Sequence, residues 1–477
     1  MAKNVSPRTK KSFTASERAP EFVRLTDEDM DLPLHERLYR RLRDLISSGA
    51  LEHGTRIAPS RALAASLGIS RNSVVTALER LIGDGFLESR RNSGMFVSYF
   101  GVPVIAAENH GAHGHTDRRA FAHGWANDIF PVEVWKRLQL RSWRNMPDLA
   151  LQQSNLLGLP ALRKAIASHL AVTRGLTCTP AQVIVTTSIP AAIDLAVRAL
   201  DLAGREGWVE EPHCRAPYNA LRKAGVKTIP IAVDDGGIDV AAGISQAPHA
   251  RMALVTPTCQ VPTGVTLRDE RRNFLLRWAD DNASWIFEDD FNWNGDGIAR
   301  SIRPLAARDS KHTLYFNSFN NILFSGLRIA YVVVPEATIE HFTTARGSEG
   351  DVNTPNQLVL TDFIESGYFD EHIRNSEAAN ASRRAALLSS VREELSGFLT
   401  PWNNPGGYFI CGLRNQREIE FVQKCASAGV VVNPMSEHRA SPGRSDLITL
   451  GFSQFSPEEI AQAARRLRNA LEPNKEN

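Results

Sequence analysis

In "PLHERLYRRLRDLIS" (33–47), Leu34, Leu38, Leu42 and Leu45 recur at helical spacing, with charged residues on the opposite face. That period predicts an amphipathic helix, closed by Gly49. In the following "APSRALAASLGIS", Ser60 is a candidate N-cap, Leu63 and Leu67 face one way, and Gly68 offers a left-handed stop. In "SRNSVVTALERLIGDG", Ser70 caps a third helix whose buried stripe is Val74, Ala77, Leu78 and Leu81. Two short helices joined by "LGIS" have the spacing of a helix-turn-helix. The next stretch, "FLESRRNSGMFVS", places two short apolar runs around an Asn-Ser-Gly turn and predicts a β-wing.

The pattern changes beyond residue 118. Residues 98–118 have no sustained period and are expected to be a linker. Its three histidines, His110, His113 and His115, fall among glycines without a metal-binding framework around them. From 119 onward, short β-rich runs ("VIVTT", "VKTIPIAV", "MALVTPT", "SWIFEDD", "TLYFNSF", "RIAYVVV") alternate with helical stretches. Alternation of this kind predicts an α/β domain with a mostly parallel sheet. The last part, from "GGYFICGL" to the amphipathic "PEEIAQAARRLRNAL", predicts a smaller α+β subdomain. The expected organisation is a disordered tail (1–32), an α+β winged helix-turn-helix domain (33–99), the linker (100–118) and the large domain (119–472).

Composition narrows the picture modestly. The 477 residues are 43% hydrophobic and 23% charged with net charge +2, so whole-molecule charge does not announce a nucleic-acid binder. No apolar run is long enough to span a membrane. The five cysteines are scattered, which fits reduced thiols in a cytoplasm better than a disulfide framework or a zinc site.

Local chemistry says more. Ser70, Arg71, Asn72 and Ser73 open the third helix, at the end that a recognition helix points towards bases. Arg71 suits a guanine, and Asn72 an adenine or a phosphate. Arg61 starts the second helix within reach of a backbone phosphate, and Arg90, Arg91 and Gly94 lie on the wing. In the large domain, ligands are expected at the carboxyl ends of parallel strands, here Thr186–Pro190, Glu210–Cys214, Thr256–Gly264, Asp289–Asn292 and Asn317–Asn321.

Residues 38–97 resemble the winged helix-turn-helix of GntR-type regulators through "G-x-R-x-x-P-S-R-x-L-A", "L-G-I-S-R-N-S-V", "L-x-x-x-G-F-L" and "G-M-F-V". By that resemblance Arg61, Arg71, Asn72, Ser73 and Gly94 contact operator DNA. From "FAHGWANDIFPVEVWKRL" onward the chain is similar to fold-type I aminotransferases. It is most similar to the aminotransferase-like half of MocR/GabR regulators, through "GLPALRKAIASHLAVTRGL", "VTPTCQVPTGVTLRDERRNFLLRWAD", "FEDDFN" and "GLRIAYVVVP". The resemblance implies a cytoplasmic, bacterial homodimer on double-stranded operator DNA, with pyridoxal phosphate (PLP) as the family cofactor.

That cofactor needs a lysine amine for its imine, a carboxylate for its pyridinium nitrogen, and N–H, hydroxyl and guanidinium donors for its phosphate. Asp289 matches the family's pyridinium partner, and Ser318 and Arg328 match its phosphate-binding hydroxyl and arginine. Other positions depart. The lysine position is Asn321, which cannot form a Schiff base, and no lysine lies between Lys311 and Lys424. The phenol that bonds the PLP ring oxygen is replaced by Phe291. The phosphate turn reads Ser188-Ile189-Pro190, and proline has no N–H to donate. Cys214 and Cys259 stand where the family has a tyrosine and a histidine. They read as packing cysteines rather than redox sensors. The leading expectation is a DNA-binding transcriptional regulator with a degenerate cofactor site, sensing an unknown small molecule or serving as a dimerisation scaffold. A regulator that holds PLP or its amino-acid adduct non-covalently, and an active aminotransferase, are the alternatives.

Overall fold

The computed structural model describes residues 32–47, 50–90, 93–98, 120–124, 126–146, 155–290, 302–308, 311–347, 352–402, 408–414, 417–440 and 446–472. The tail, Gly49, Arg91, the linker histidines and Phe291 lie outside the described residues. The chain divides into two compact units, 1–115 and 116–477.

In the first unit, α1 (Leu34–Ser47) buries Leu38, Tyr39, Leu42, Leu45 and Ile46. Leu34 lies outside that stripe, 40% exposed in the helix's first turn. The short α2 (Ser60–Leu67) is flanked by Pro59 as N-cap, so Ser60 is its first helical residue and makes no capping bond, contrary to expectation. Pro59 already holds the extended backbone an N-cap requires, at φ −54° and ψ 143°. Gly68 ends α2 in the left-handed conformation. In α3 (Arg71–Gly83) the cap is Ser70, and Val74, Ala77, Leu78 and Leu81 are all buried. Tyr39 ties α1 to α3, donating to Asp84 Oδ2 at 2.7 Å beneath the Arg80 guanidinium. Strands β1 (Arg56–Ile57), β2 (Leu87–Arg90) and β3 (Gly94–Val97) form an antiparallel sheet in the order β1-β3-β2.

The second unit is built on an eight-stranded sheet. Its described elements, in order, begin with α4 (Val132–Arg144), α5 (Pro160–Thr173), β4 (Val183–Thr186), α6 (Ile189–Ala199) and β5 (Glu206–Glu211). Next come α7 (Arg215–Lys223), β6 (Lys227–Asp234), β7 (Gly237–Ile238), α8 (Val240–Gln246) and β8 (Met252–Val255). Then follow α9 (Asp269–Asp281), β9 (Trp285–Asp289), β10 (Thr313–Ser318) and β11 (Ala330–Val333). Strand order is β4-β11-β10-β9-β8-β5-β6-β7. Strands β6, β5, β8, β9 and β10 run parallel, while β11 and β7 run antiparallel to their neighbours.

Both faces of this sheet are covered, which is why its strands read as apolar runs rather than alternating ones. Along β4, Val183 and Val185 join a core with Tyr315 and Tyr331, while Ile184 joins another with Phe287 and Phe316. The period-2 geometry of a strand sends alternate residues to opposite cores. Strand β5 was not among the runs picked out from sequence, because "EGWVEE" carries acids at both ends.

The rest of the unit includes α10 (Ile339–Arg346), α11 (Thr354–Glu365), the long α12 (Tyr368–Glu394) and a smaller α+β part. That part has a four-stranded antiparallel sheet in the order β12-β13-β15-β14 (Leu399–Pro401, Phe409–Leu413, Leu447–Leu450, Asn433–Pro434), with helices α13 (Glu418–Ser427) and α14 (Pro457–Leu471). A capping box of Ser456 and Glu459 starts α14, which buries Ile460, Ala463, Ala464, Leu467 and Leu471.

Candidate functional site

Two sites need separate description, one in each unit. At the first turn of α3, Ser70 Oγ accepts from Ser73 N at 3.1 Å and lies 2.9 Å from Ser73 Oγ. The two hydroxyls satisfy each other and one helix-end donor. Arg71 and Asn72, in the same turn, are exposed and bond no described residue. Arg61 is likewise exposed, at the start of α2. On the wing, Arg90 is already engaged: it donates to Glu88 at 2.6 Å and its guanidinium sits 4.6 Å from the Phe96 ring centre. Gly94 pairs with Arg90 across the wing, at φ +107°.

A further cation belongs to this surface. Arg56 of β1 is exposed, and its side chain crosses Gly94 so closely that a β-carbon there would lie 3.1 Å from Arg56 Nε. Any larger residue at 94 would push this arginine aside. The signal was in the sequence, as the arginine of "G-x-R-x-x-P-S-R", but only the fold brings it to the wing.

The second site lies at the carboxyl end of the large sheet. Three consecutive acids stand at the end of β9, Glu288 and Asp289 within it and Asp290 just beyond, and all are buried. Alternation along the strand separates their roles. Glu288 accepts from Leu305 N and Ala306 N at 2.8 and 2.9 Å. Asp290 is held by the buried Arg174 guanidinium, at 2.9 Å from Nε, and by the Tyr315 hydroxyl at 2.6 Å. Asp289, between them, has no hydrogen-bond partner on either carboxylate oxygen among the described residues. Burial holds its carboxyl well above the usual carboxylate range, and Asp290 and Glu210 push the same way.

Other groups converge on this end of the sheet. In register, Asp289 is beside Phe316, and Ser318 is beside Ala330, itself beside Thr186. Ser318 Oγ accepts from Asn320 N at 3.1 Å. Asn320, which sequence reasoning passed over, donates to Thr187 O at 3.0 Å and accepts from Ile329 N at 2.8 Å. It thereby clamps the loop that carries Asn321. The Asn321 amide is half-buried and bonds no described residue. Arg328 is exposed at φ +57°, a left-handed conformation uncommon for a side-chain-bearing residue. Glu210 accepts from Thr256 N, Thr256 Oγ1 and Gln260 Nε2 at 3.1, 2.6 and 3.3 Å, and burial pushes its carboxyl up to about 7.

Helix α6 points its first turn at the same end of the sheet. Its N-cap is Ser188, whose Oγ accepts from Ala191 N at 3.2 Å. Ile189 and Pro190 complete the turn, and Pro190 has no N–H. Two of the donors a helix start usually offers an anion are therefore missing: one absent from the chain, the other taken by the cap.

Nucleophilic chemistry is poorly served here. The Cys214 thiol is pushed up to about 12 by burial, with Asp289 adding to the effect, so it stays protonated at neutral pH. Cys259 is buried too. Lys311 precedes the start of β10 while Asn321 follows its end, roughly 20 Å apart at strand rise. The arrangement can bind: a buried carboxylate and an amide, neither bonded to a described residue, and an exposed guanidinium lie at one sheet end.

Residues 34–97 match the family described as bacterial regulatory proteins, gntR family, and residues 123–467 match aminotransferase class I and II. The chain is 32% identical to the "Probable rhizopine catabolism regulatory protein MocR" of Rhizobium meliloti, over 93% of this chain and 95% of that one. It is 27% identical to the HTH-type pyridoxine biosynthesis transcriptional regulator PdxR of Corynebacterium glutamicum, covering 91% and 95%. Among solved structures, the kynurenine aminotransferase of Pyrococcus horikoshii overlays with a TM-score of 0.67 at 22% identity, covering 76% of this chain and 93% of that one.

Proposed function

The chain belongs to the MocR/GabR-type regulators, a GntR-type helix-turn-helix joined to an aminotransferase class I and II domain, and from that premise we propose that it is a sequence-specific DNA-binding transcriptional regulator whose large unit senses a small molecule without transaminating it. The observation that carries this reading is Asn321. An amide stands where the family's imine-forming lysine belongs, in a loop pinned by Asn320, with no nearby amine to replace it. Residues 33–99 are assigned to operator binding and 119–472 to sensing and homodimerisation, in the cytoplasm.

PLP remains the family cofactor, and the residues present fit it only in part. The unpartnered Asp289 suits a protonated ring nitrogen, and Ser318 and Arg328 are retained. Those three support the second reading, non-covalent binding of PLP or an adduct. Against it stand the amide at 321 and the turn at Ser188–Pro190, which withholds two donors from a phosphate. Together they leave the intact cofactor without its covalent link and with two fewer donors for its phosphate.

At the operator, Arg71 and Asn72 read base edges while Arg61, Arg90 and Arg56 meet phosphates or the minor groove. The test has two arms. Fluorescence anisotropy on DNA upstream of the gene should give sequence-specific binding that Arg71→Ala weakens by about 1–3 kcal/mol. Incubation with amino donors and PLP should give no transamination. Unchanged specificity in Arg71→Ala removes α3 as the reading helix; clear turnover removes the non-enzymatic reading.

A further inference from the structure

We propose that the ligand of the site at the carboxyl end of the large sheet is an unphosphorylated cation, whose N–H group donates to Asp289. This deepens the sensing role assigned above and rests on it. Two independent features support it.

The first is the carboxylate. Asp289 is 1% exposed, and neither of its oxygens meets a donor among the described residues. Its neighbours on the strand show that this is not a general failing of the region, since Glu288 and Asp290 are each fully engaged. A buried carboxylate without a partner is costly unless something completes it. Asp290 and Glu210 add negative charge near it rather than relieving it. A positively charged N–H donor is the complementary group, because it supplies both the hydrogen bond and the missing charge. Burial favours the protonated form of Asp289 while it stands alone, so an arriving cation displaces that proton to solvent.

The second feature is the start of α6. A phosphate monoester brings nearly two negative charges and needs several donors at once. Ser188 Oγ occupies Ala191 N, and Pro190 has no N–H to give. Arg328 offers one fork from an exposed position, which suits a single carboxylate as well as a phosphate. Each missing donor to a charged group costs about tenfold in affinity or more. A ligand without a phosphate avoids that loss and keeps the whole benefit of Asp289.

A matched pair of probes separates the two features: pyridoxamine and pyridoxamine 5′-phosphate share the ring nitrogen and differ only in the phosphate. Neither carries an aldehyde, so stray imines with surface lysines do not confuse the result. Isothermal titration of the full chain should find pyridoxamine binding at least about tenfold more tightly than its phosphate. Asp289→Asn, nearly isosteric, should weaken pyridoxamine by at least about tenfold. Ser188→Gly with Pro190→Gln frees one N–H and restores another, and should reverse the order of the two probes. Tighter binding of the phosphate by the unmodified chain overturns the proposal. So does failure of pyridoxamine to bind, or its indifference to Asp289→Asn. Operator binding is read separately: if it survives while pyridoxamine fails, the ligand class falls and the regulator reading stands. If it is absent, the fault lies in that reading itself.

Discussion

The first turns of α3 and α6, one in each unit, are both capped by a serine: Ser70 Oγ accepts from Ser73 N at 3.1 Å, and Ser188 Oγ accepts from Ala191 N at 3.2 Å. In α3 the cap holds a turn whose next two side chains, Arg71 and Asn72, stand exposed and bond no described residue. In α6 the next two are Ile189, buried, and Pro190, which lacks a donor. The same local motif thus prepares one helix to meet a polyanion and withdraws the other from an anion. A helix start is favourable ground for negative charge, but its free donors and side chains decide whether it is used.

The units also differ in how they hold charge. In the winged unit the pair Arg80–Glu36 lies at the surface, with side-chain exposures of 50% and 19%. Pairs of that kind contribute about 0–1 kcal/mol. In the large unit Arg174–Asp290 is buried, at 2% and 0%. Arg174→Met should therefore destabilise the large unit by about 3–5 kcal/mol, because Asp290 would keep only the Tyr315 hydroxyl among its described partners. Arg80→Ala should cost no more than about 1 kcal/mol. Urea unfolding of the full chain measures both, and Arg174→Met combined with Asp290→Asn should recover much of the loss. Equal costs for the two single variants would remove this contrast.

A pH dependence separates Asp289 from its neighbours. Its folded carboxyl is raised above the unfolded value, so the folded state keeps a proton that the unfolded chain releases. The associated stability is full below about pH 4 and is lost as pH rises through the folded pKa. Glu210 and Glu288, both pushed up to about 7 by burial, act in the same direction. His213, His372 and His438, which are buried, and the half-buried His123 have pKa values that desolvation lowers, and they act in the opposite one. A difference measurement cancels these other groups. The melting temperature of Asp289→Asn minus that of the unmodified chain should be near zero at about pH 4 and grow positive towards pH 8. A difference that falls with pH would mean Asp289 is ionised and partnered in the folded protein.

How much of this was legible beforehand follows the range of the interactions. The Ser70 cap, the Val74–Leu81 stripe and the Gly68 stop are set within a few residues, and sequence spacing found them. Ser60 was misjudged by one position because Pro59 competes for the cap and wins on backbone geometry. Six strands could be picked out as apolar runs, but not the reversed direction of β11, which depends on neighbours far along the chain. At the site, the residues matching a known motif could be named, yet the contrast within "EDD" could not. It needs Arg174, more than a hundred residues away, to show that Asp290 is engaged and Asp289 is not. Arg56 escaped for the same reason, since only strand pairing lays it across Gly94.

The smallest expected effect sharpens the opening comparison most. Ser70→Ala and Ser188→Ala each remove one capping hydrogen bond and should each cost about 1 kcal/mol in their own unit. Stability alone would not tell the two helices apart. Operator affinity measured without added ligand should. Loss of the Ser70 cap loosens the turn that positions Arg71 and Asn72, and an affinity loss of about two- to fivefold follows if half or more of that cap energy is used in binding. Loss of the Ser188 cap alters no residue assigned to the operator, so operator affinity should be unchanged. It also releases the Ala191 N–H, while Pro190 still has no donor to give. Equal losses of operator affinity in the two variants would mean that the α6 turn is coupled to DNA binding even without a ligand, and the division between a reading helix and a withdrawn one would not hold.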